Sequence, residues 1–377
     1  MKIYQNQFDK GQWQSAFPQT NDFDWILMFG SDELAKQVLH NDDFLSCFGD
    51  AEIMGCTTAG EIHNDLIFDE TLCLTAVKFE QAKPHFVSAN LKDFSSSFEL
   101  GQFLGNQLPQ EDLKYVFLLS DGHIVNGTHL INGLHDVLPN DTLISGGLAG
   151  DGDRFTKTTV WHNDRIEDGL VVVCAFYGNA IIDIHHGSRG GWDTFGPNRI
   201  ITKSDGNVLY ELDNQLALTL YKSYLGEFAN DLPASALRFP LLISEPGAEE
   251  GVVRTILSID EEAQTLTFAG DMPEGSQACL MRANFEKVIE GAEMAAVKAV
   301  QKSNQSPELA ILISCVGRRL ILKQRAEDEI EAARDVLNEA CVITGFYSYG
   351  EISPLVSTPK CELHNQTMTI TTFTEKK

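Results

Sequence analysis

The chain of 377 residues is short of positive charge: 28 lysines and arginines stand against 54 aspartates and glutamates, for a formal net charge of −26. A surface so acidic repels phosphate backbones and anionic headgroups, so neither nucleic acid nor a membrane is an expected partner. No stretch approaches the ~20 consecutive apolar residues of a membrane span, and no basic segment followed by an apolar core opens the chain. Both absences predict a cytoplasmic protein. The eight cysteines include no C-x-x-C pair and mostly stand inside apolar runs, which argues against disulfides and a zinc site and for reduced, buried thiols. Cys56 and Cys315 differ in lying in polar turns, but no histidine stands at a familiar offset to activate either. A G-x-S-x-G elbow, a Walker loop and a dinucleotide fingerprint are all missing. The expectation is therefore a protein that is not an enzyme.

What the chain does have is one turn used three times. Gly55-Cys56-Thr57-Thr58-Ala59-Gly60-Glu61-Ile62 shares its frame with Gly345-Phe346-Tyr347-Ser348-Tyr349-Gly350-Glu351-Ile352, and Gly146-Gly147-Leu148-Ala149-Gly150-Asp151-Gly152 is a looser relative. Each turn closes the same longer pattern. A short apolar run (25–29, 115–119, 309–313) reads as a buried strand and a polar turn follows it. Apolar residues at helical spacing come next, as in Leu34/Val38/Leu39, Ile131/Leu134/Leu138 and Ile330/Ala333/Leu337, and then a second apolar run. Strand, helix, strand is a βαβ-type unit. Ligands in open α/β sheets bind off the carboxyl ends of strands, so these Gly-rich turns, with backbone N–H groups expected to be exposed, are the candidate ligand mouth. Asp151 and Asp153 have the chemistry for a hard cation, and Asp-Gly-Asp is equally ordinary turn chemistry.

The rest of the chain reads as connecting structure. Residues 71–79 and 170–176 predict strands, 158–169 a strand and turn, and 95–108 a helix. Residues 181–197, with two histidines, an arginine and several glycines, read as a loop that a ligand or a domain connection would order. A helix is expected over 209–225, a hairpin over 254–269, an alanine-faced helix from 284 to about 303, and a closing strand over 364–374. The fold class is α/β: two domains, divided at residues 1–200 and 201–377, built from repeated βαβ-type units with mixed sheets.

Taken together, the 55–62 turn, Ser120-Asp121-Gly122, the 146–152 turn, His186-Gly187 with Gly190-Gly191-Trp192-Asp193, and Gly345 with Ser348-Tyr349-Gly350-Glu351 resemble FIST proteins, with an N-terminal and a C-terminal FIST domain over nearly the whole chain. The resemblance implies a sensory module of signal transduction. Some free-standing members are NosP-type haem proteins that sense nitric oxide and act on a partner histidine kinase, which makes haem b, nitric oxide and a histidine kinase or other signalling enzyme the leading expectations. A haem sensor needs one imidazole on iron and an apolar slot. His186, His185 and His123 are the candidates, Arg189 would meet a propionate, and Trp192 lies nearby in sequence. Without C-x-x-C-H, any haem is held noncovalently. The ligand-binding candidates are Gly55, Cys56, Thr57, Thr58, Ser120, Asp121, Gly146, Gly147, Asp151, Ser348, Tyr349 and Glu351. The alternative ligand is an amino acid or another small polar metabolite. Its carboxylate would be met by Arg318 and its ammonium by Glu61 or Glu351.

Overall fold

The computed structural model describes residues 1–18, 22–178, 181–248, 251–301, 303, 305–354 and 360–376. The repeat read from the turns extends to whole units. The first runs through β1 (Lys2–Asp9), β2 (Trp25–Gly30), α1 (Asp32–Leu39), β3 (Glu52–Cys56), a hairpin of β4 (Glu61–His63) and β5 (Leu66–Phe68), and β6 (Leu72–Lys78). The second runs through β7 (His85–Asn90), α2 (Ser97–Gln107), β8 (Leu113–Ser120), α3 (Gly127–Val137), β9 (Leu143–Leu148), a hairpin of β10 (Val160–His162) and β11 (Arg165–Glu167), and β12 (Leu170–Tyr177). The third opens with β13 (Ile182–Arg189) and is interrupted by an insertion. It resumes with α4 (Phe285–Val300), β14 (Leu309–Cys315), α5 (Val316–Leu322), α6 (Ala326–Leu337), β15 (Val342–Ser348), a hairpin of β16 (Gly350–Pro354) and β17 (Cys361–His364), and β18 (Met368–Glu375).

Each unit centres on a parallel pair, β2/β3, β8/β9 or β14/β15. An antiparallel strand (β6, β12 or β18) flanks it, and the unit's opening strand lies outside that. The other edge of each sheet is filled by a hairpin from a different unit. β10 pairs with β3, β16 with β9, and β4 with β15, so every unit donates one hairpin and receives one. The sheets meet in a shared interior around Trp25, which is fully buried and lies 5.8, 5.7 and 5.8 Å, centroid to centroid, from Phe117, Phe176 and Phe373. These come from both other units, so the aromatic packing joins all three.

A glycine at the same place in each unit makes this pairing possible. A Cβ on Gly55, Gly146 or Gly345 would run into the backbone carbonyl of Met28, Leu118 or Leu312 on the adjacent parallel strand. The frame shared by the three turns is therefore first a packing requirement. The insertion between β13 and α4 forms a nine-stranded sheet with a core of its own that includes Leu218, Tyr221, Phe268 and Leu280.

Two segments differ from expectation. Residues 208–212 form a strand and the helix begins only at Ala217, because Asp213 and Asn214 take φ of 50° and 60° and turn the chain there. Residues 182–189, expected as a loop, are the strand β13 along β18; Gly187 is required because its Cβ would strike the carbonyl of Ala295 on α4. Among the described residues no helix is long and apolar enough to cross a membrane. Gly345→Ala should destabilise the fold by roughly 3 kcal/mol or more, read as a lower urea midpoint with an unchanged slope.

Candidate functional site

The three Gly-rich turns do meet, but mostly with each other. Gly150 N–H donates to the Thr57 carbonyl and Gly152 N–H to that of Thr58; Ala59 N–H donates to Tyr347, Tyr347 N–H to Gly60, and Tyr349 N–H to Leu148. The expectation of exposed backbone donors is thus corrected: these groups satisfy one another across the junction of the units.

Two of the turns carry the same carboxylate cradle. Glu61 Oε1 accepts from the Thr58 hydroxyl at 2.6 Å, while its Oε2 accepts from Thr71 N–H and hydroxyl at 3.3 and 2.8 Å. Glu351 repeats this with the Ser348 hydroxyl at 2.6 Å and Thr367 N–H and hydroxyl at 3.1 and 2.9 Å. Burial pushes both carboxyls up to about 7 against the pull of these donors. Ser348 and Glu351 are sealed inside, so the cradle's common task is to tie the turn to the strand that follows. In the second unit Val160 stands where the glutamates stand, and the chain between β9 and β10 lengthens to 149–159.

That longer loop walls a cavity of about 820 Å³. The register pairs Phe29 with Cys56 and Cys56 with Val160, so Gly30, Thr57 and Thr159 form the next row, at the carboxyl edge of β2 and β3. All three line the cavity. Thr57 N–H donates to the Thr159 carbonyl at 2.9 Å and Thr159 N–H to Thr57 Oγ1 at 3.0 Å, while the buried Thr159 Oγ1 has no hydrogen-bond partner among the described residues. Thr58 and Glu61 adjoin this floor, and Ser31 to Glu33 bring the start of α1 to the rim.

The second unit contributes Asp151, Asp153, Arg154 and Lys157. Asp151 Oδ2 accepts from Thr156 N–H and hydroxyl and from Lys157 N–H, and its Oδ1 from the Tyr349 hydroxyl. Burial pushes the Asp151 carboxyl up, but these donors outweigh it and hold the carboxyl below its ordinary range. Tyr349 also stacks on Phe155, centroids 4.5 Å apart, which pins the loop to the third turn. The third unit contributes Arg319 and Lys323 from the end of α5 and just beyond. A Cβ on Gly60 would collide with the Arg319 guanidinium, so the glycine makes room for that arm.

The candidates read from the sequence divide accordingly. Thr57, Thr58 and Asp151 line the cavity, and Tyr349 supports it through Asp151. Gly55 and Gly146 serve strand packing; Gly147, where a Cβ would meet Ile313 and Phe346, and Cys56 face the shared interior. Ser120 and Asp121 are buried, with Asp121 accepting from the N–H groups of His123, Ile124 and Gly169. Trp192 donates to the Gln366 carbonyl at 2.8 Å and packs on Met281 and Ile321, and Arg189 is exposed at the end of β13. Arg318, expected to meet a ligand carboxylate, is completely buried and paired with Glu329 at 2.7 Å; its neighbour Arg319 is the one that reaches the cavity. Asp69, Glu70, Arg154, Lys157, Thr159, Arg319 and Lys323 were missed. The polar turn after β2 was a usable signal for the rim, whereas nothing local ties Arg319 to Gly60.

Haem does not fit the residues of this cavity, whose walls are hydroxyls, carboxylates and cations with no histidine among them. His123 is exposed on the loop after β8. His185 lies 3.0 Å from Asp183, and His186, the next residue on the same strand, points to the opposite face. Among the described residues no group of three or more histidines, cysteines or carboxylates could hold a metal ion.

The cavity therefore lies at the seam of fused α/β units and is lined by opposed charges. Family models specify the class: a FIST N domain matches residues 24–215 and a FIST C domain residues 217–354. The chain belongs to the FIST family, whose domains are sensory modules of signal transduction that bind small ligands. A curated relative, the uncharacterized protein MJ1623 of Methanocaldococcus jannaschii, is 22% identical over 340 residues. The match covers 79% of this chain and 64% of that protein, so the chain spans less than two thirds of the relative's length. A solved chorismatase aligns over 99% of this chain and 98% of its own with a TM-score of 0.36 and 8% identity.

The cradle yields a pH prediction. The Glu351 carboxyl lies at about 7 in the fold against an ordinary 4.5, so the folded protein binds its proton more tightly. The stability it adds is complete below pH 4.5 and is lost as the pH rises through 7. Glu351→Gln should remove roughly 3 kcal/mol of this pH dependence, measured as the difference between parent and variant urea stabilities at pH 5 and pH 8.

Proposed function

We propose that this protein is a cytoplasmic sensor of a small zwitterionic metabolite, an amino acid or a close analogue, and that it binds this ligand rather than transforming it. The observation that carries the reading is the composition of the cavity wall. Lys157 and Lys323 take part in no ion pair among the described residues and offer charge to a carboxylate, while Asp153 and Glu33 offer it to an ammonium. The Thr57 and Thr159 floor adds hydroxyls able to fix orientation. Haem is not the ligand we propose, because no histidine faces this cavity.

The signalling step belongs to the same proposal. The wall draws on all three units, so a ligand that touches them favours one arrangement of the seam over another and thereby alters contact with a signalling enzyme, for which a histidine kinase is our choice.

The test is a thermal-shift screen of the dialysed protein against the proteinogenic amino acids, with a haemin titration followed by absorption in parallel. We expect one amino acid, or a small chemical group of them, to raise the melting temperature saturably. The Lys157→Gln/Lys323→Gln double variant should weaken that binding about tenfold. A silent screen sinks the reading, and a saturable one-to-one Soret band would return haem to first place.

A further inference from the structure

Arg319 is the arm by which the third unit closes the cavity, and its guanidinium is already engaged. It donates to the Ala59 carbonyl at 2.6 Å and, through its two terminal nitrogens, to both oxygens of Asp69 at 2.6 and 2.7 Å. It also lies 5.4 Å from the centroid of the Tyr347 ring. The fork it makes with Asp69 is the geometry by which arginine recognises any carboxylate or phosphate. The two partners are unequal: the Asp69 side chain is 62% exposed and that of Arg319 22%. Asp69 can thus recover hydration on leaving, whereas Arg319, held by a main-chain carbonyl and an aromatic face, stays where it is.

We propose that Asp69 is an internal stand-in for the anionic group of the ligand, and that a ligand carboxylate or phosphate takes its place on Arg319. This rests on the zwitterion reading for the ligand's identity but not for the exchange itself. Asp69 and Glu70 are the link between β5 and β6, and Glu70 is tied in turn to Arg154 of the second unit at 3.3 Å. The next residue, Thr71, holds Glu61 through its N–H and hydroxyl, and its carbonyl accepts from Ser31 N–H at 3.0 Å. Releasing Asp69 therefore loosens the end of the hairpin that pairs with β15, where Glu61 stands opposite Phe346. Occupancy of the cavity is in this way read at the seam between the first and third units.

The experiment is isothermal titration of the full chain with inorganic phosphate and, separately, with L-glutamate, on the parent, Asp69→Asn, Arg319→Gln and Arg319→Lys. Removing the internal competitor should tighten binding of at least one of these anions about fivefold in Asp69→Asn, and which of them responds tells phosphate from carboxylate recognition. Binding should be lost in Arg319→Gln and intermediate in Arg319→Lys, which keeps the charge without the fork. Equal or weaker binding in Asp69→Asn, parent affinity in Arg319→Gln, or no binding of either anion to Asp69→Asn overturns the exchange. If phosphate follows this pattern while the amino-acid screen is silent, the exchange stands and the zwitterion reading falls. If an amino acid binds and Asp69→Asn leaves its affinity unchanged, the reverse holds.

Discussion

Three hairpins, each folded in one unit and paired in the sheet of another, are the contacts on which the rest of this molecule depends. Without β4 on β15, β10 on β3 and β16 on β9, each sheet would end in an open strand edge. The exchange brings the strand ends of all units to one junction, and it forces the close approach of parallel strands that only Gly55, Gly146 and Gly345 tolerate there. The shared aromatic interior around Trp25 is a further result of the same closure.

The cavity sits where the threefold pattern is broken. The first and third units spend their turn on a buried glutamate cradle, and the second replaces the glutamate by Val160 and extends the preceding loop. That loop brings Asp151 to Lys157 over the carboxyl ends of β2 and β3, and α5 of the third unit supplies the opposite wall. Repetition therefore accounts for the scaffold, and one departure from it accounts for the opening. The pocket's charges come from the extended loop, the Asp69-Glu70 link, the start of α1, and Arg319 and Lys323 of the third unit.

The local grammar of the chain was readable. Apolar runs followed by helical spacing marked the units, and the alanine face of α4 marked a closely packed helix. The register between units was not readable, because periodicity reports which face is buried and never which distant strand will cover an edge. The same limit explains the site. Thr57, Thr58 and Asp151 stand in turns whose frame repeats, so they could be picked out, but the choice between Arg318 and Arg319 depends on which way one helical step points. The histidines at 185 and 186 attracted attention through their glycine-rich surroundings, yet Gly187 is there to let α4 approach a strand.

The exchange of hairpins also has a consequence in time. The first hairpin pairs through His63 with Thr344, so some 280 residues must still be synthesised after it has formed before its partner exists. At typical elongation rates that is a wait of roughly 15 to 60 s. Throughout that interval β4 awaits its partner, whereas the vacant edge of β3 is covered as soon as β10 has been made. A nascent chain of this design can settle its secondary structure early, but its three units close on one another only after β15 and β16 have left the ribosome.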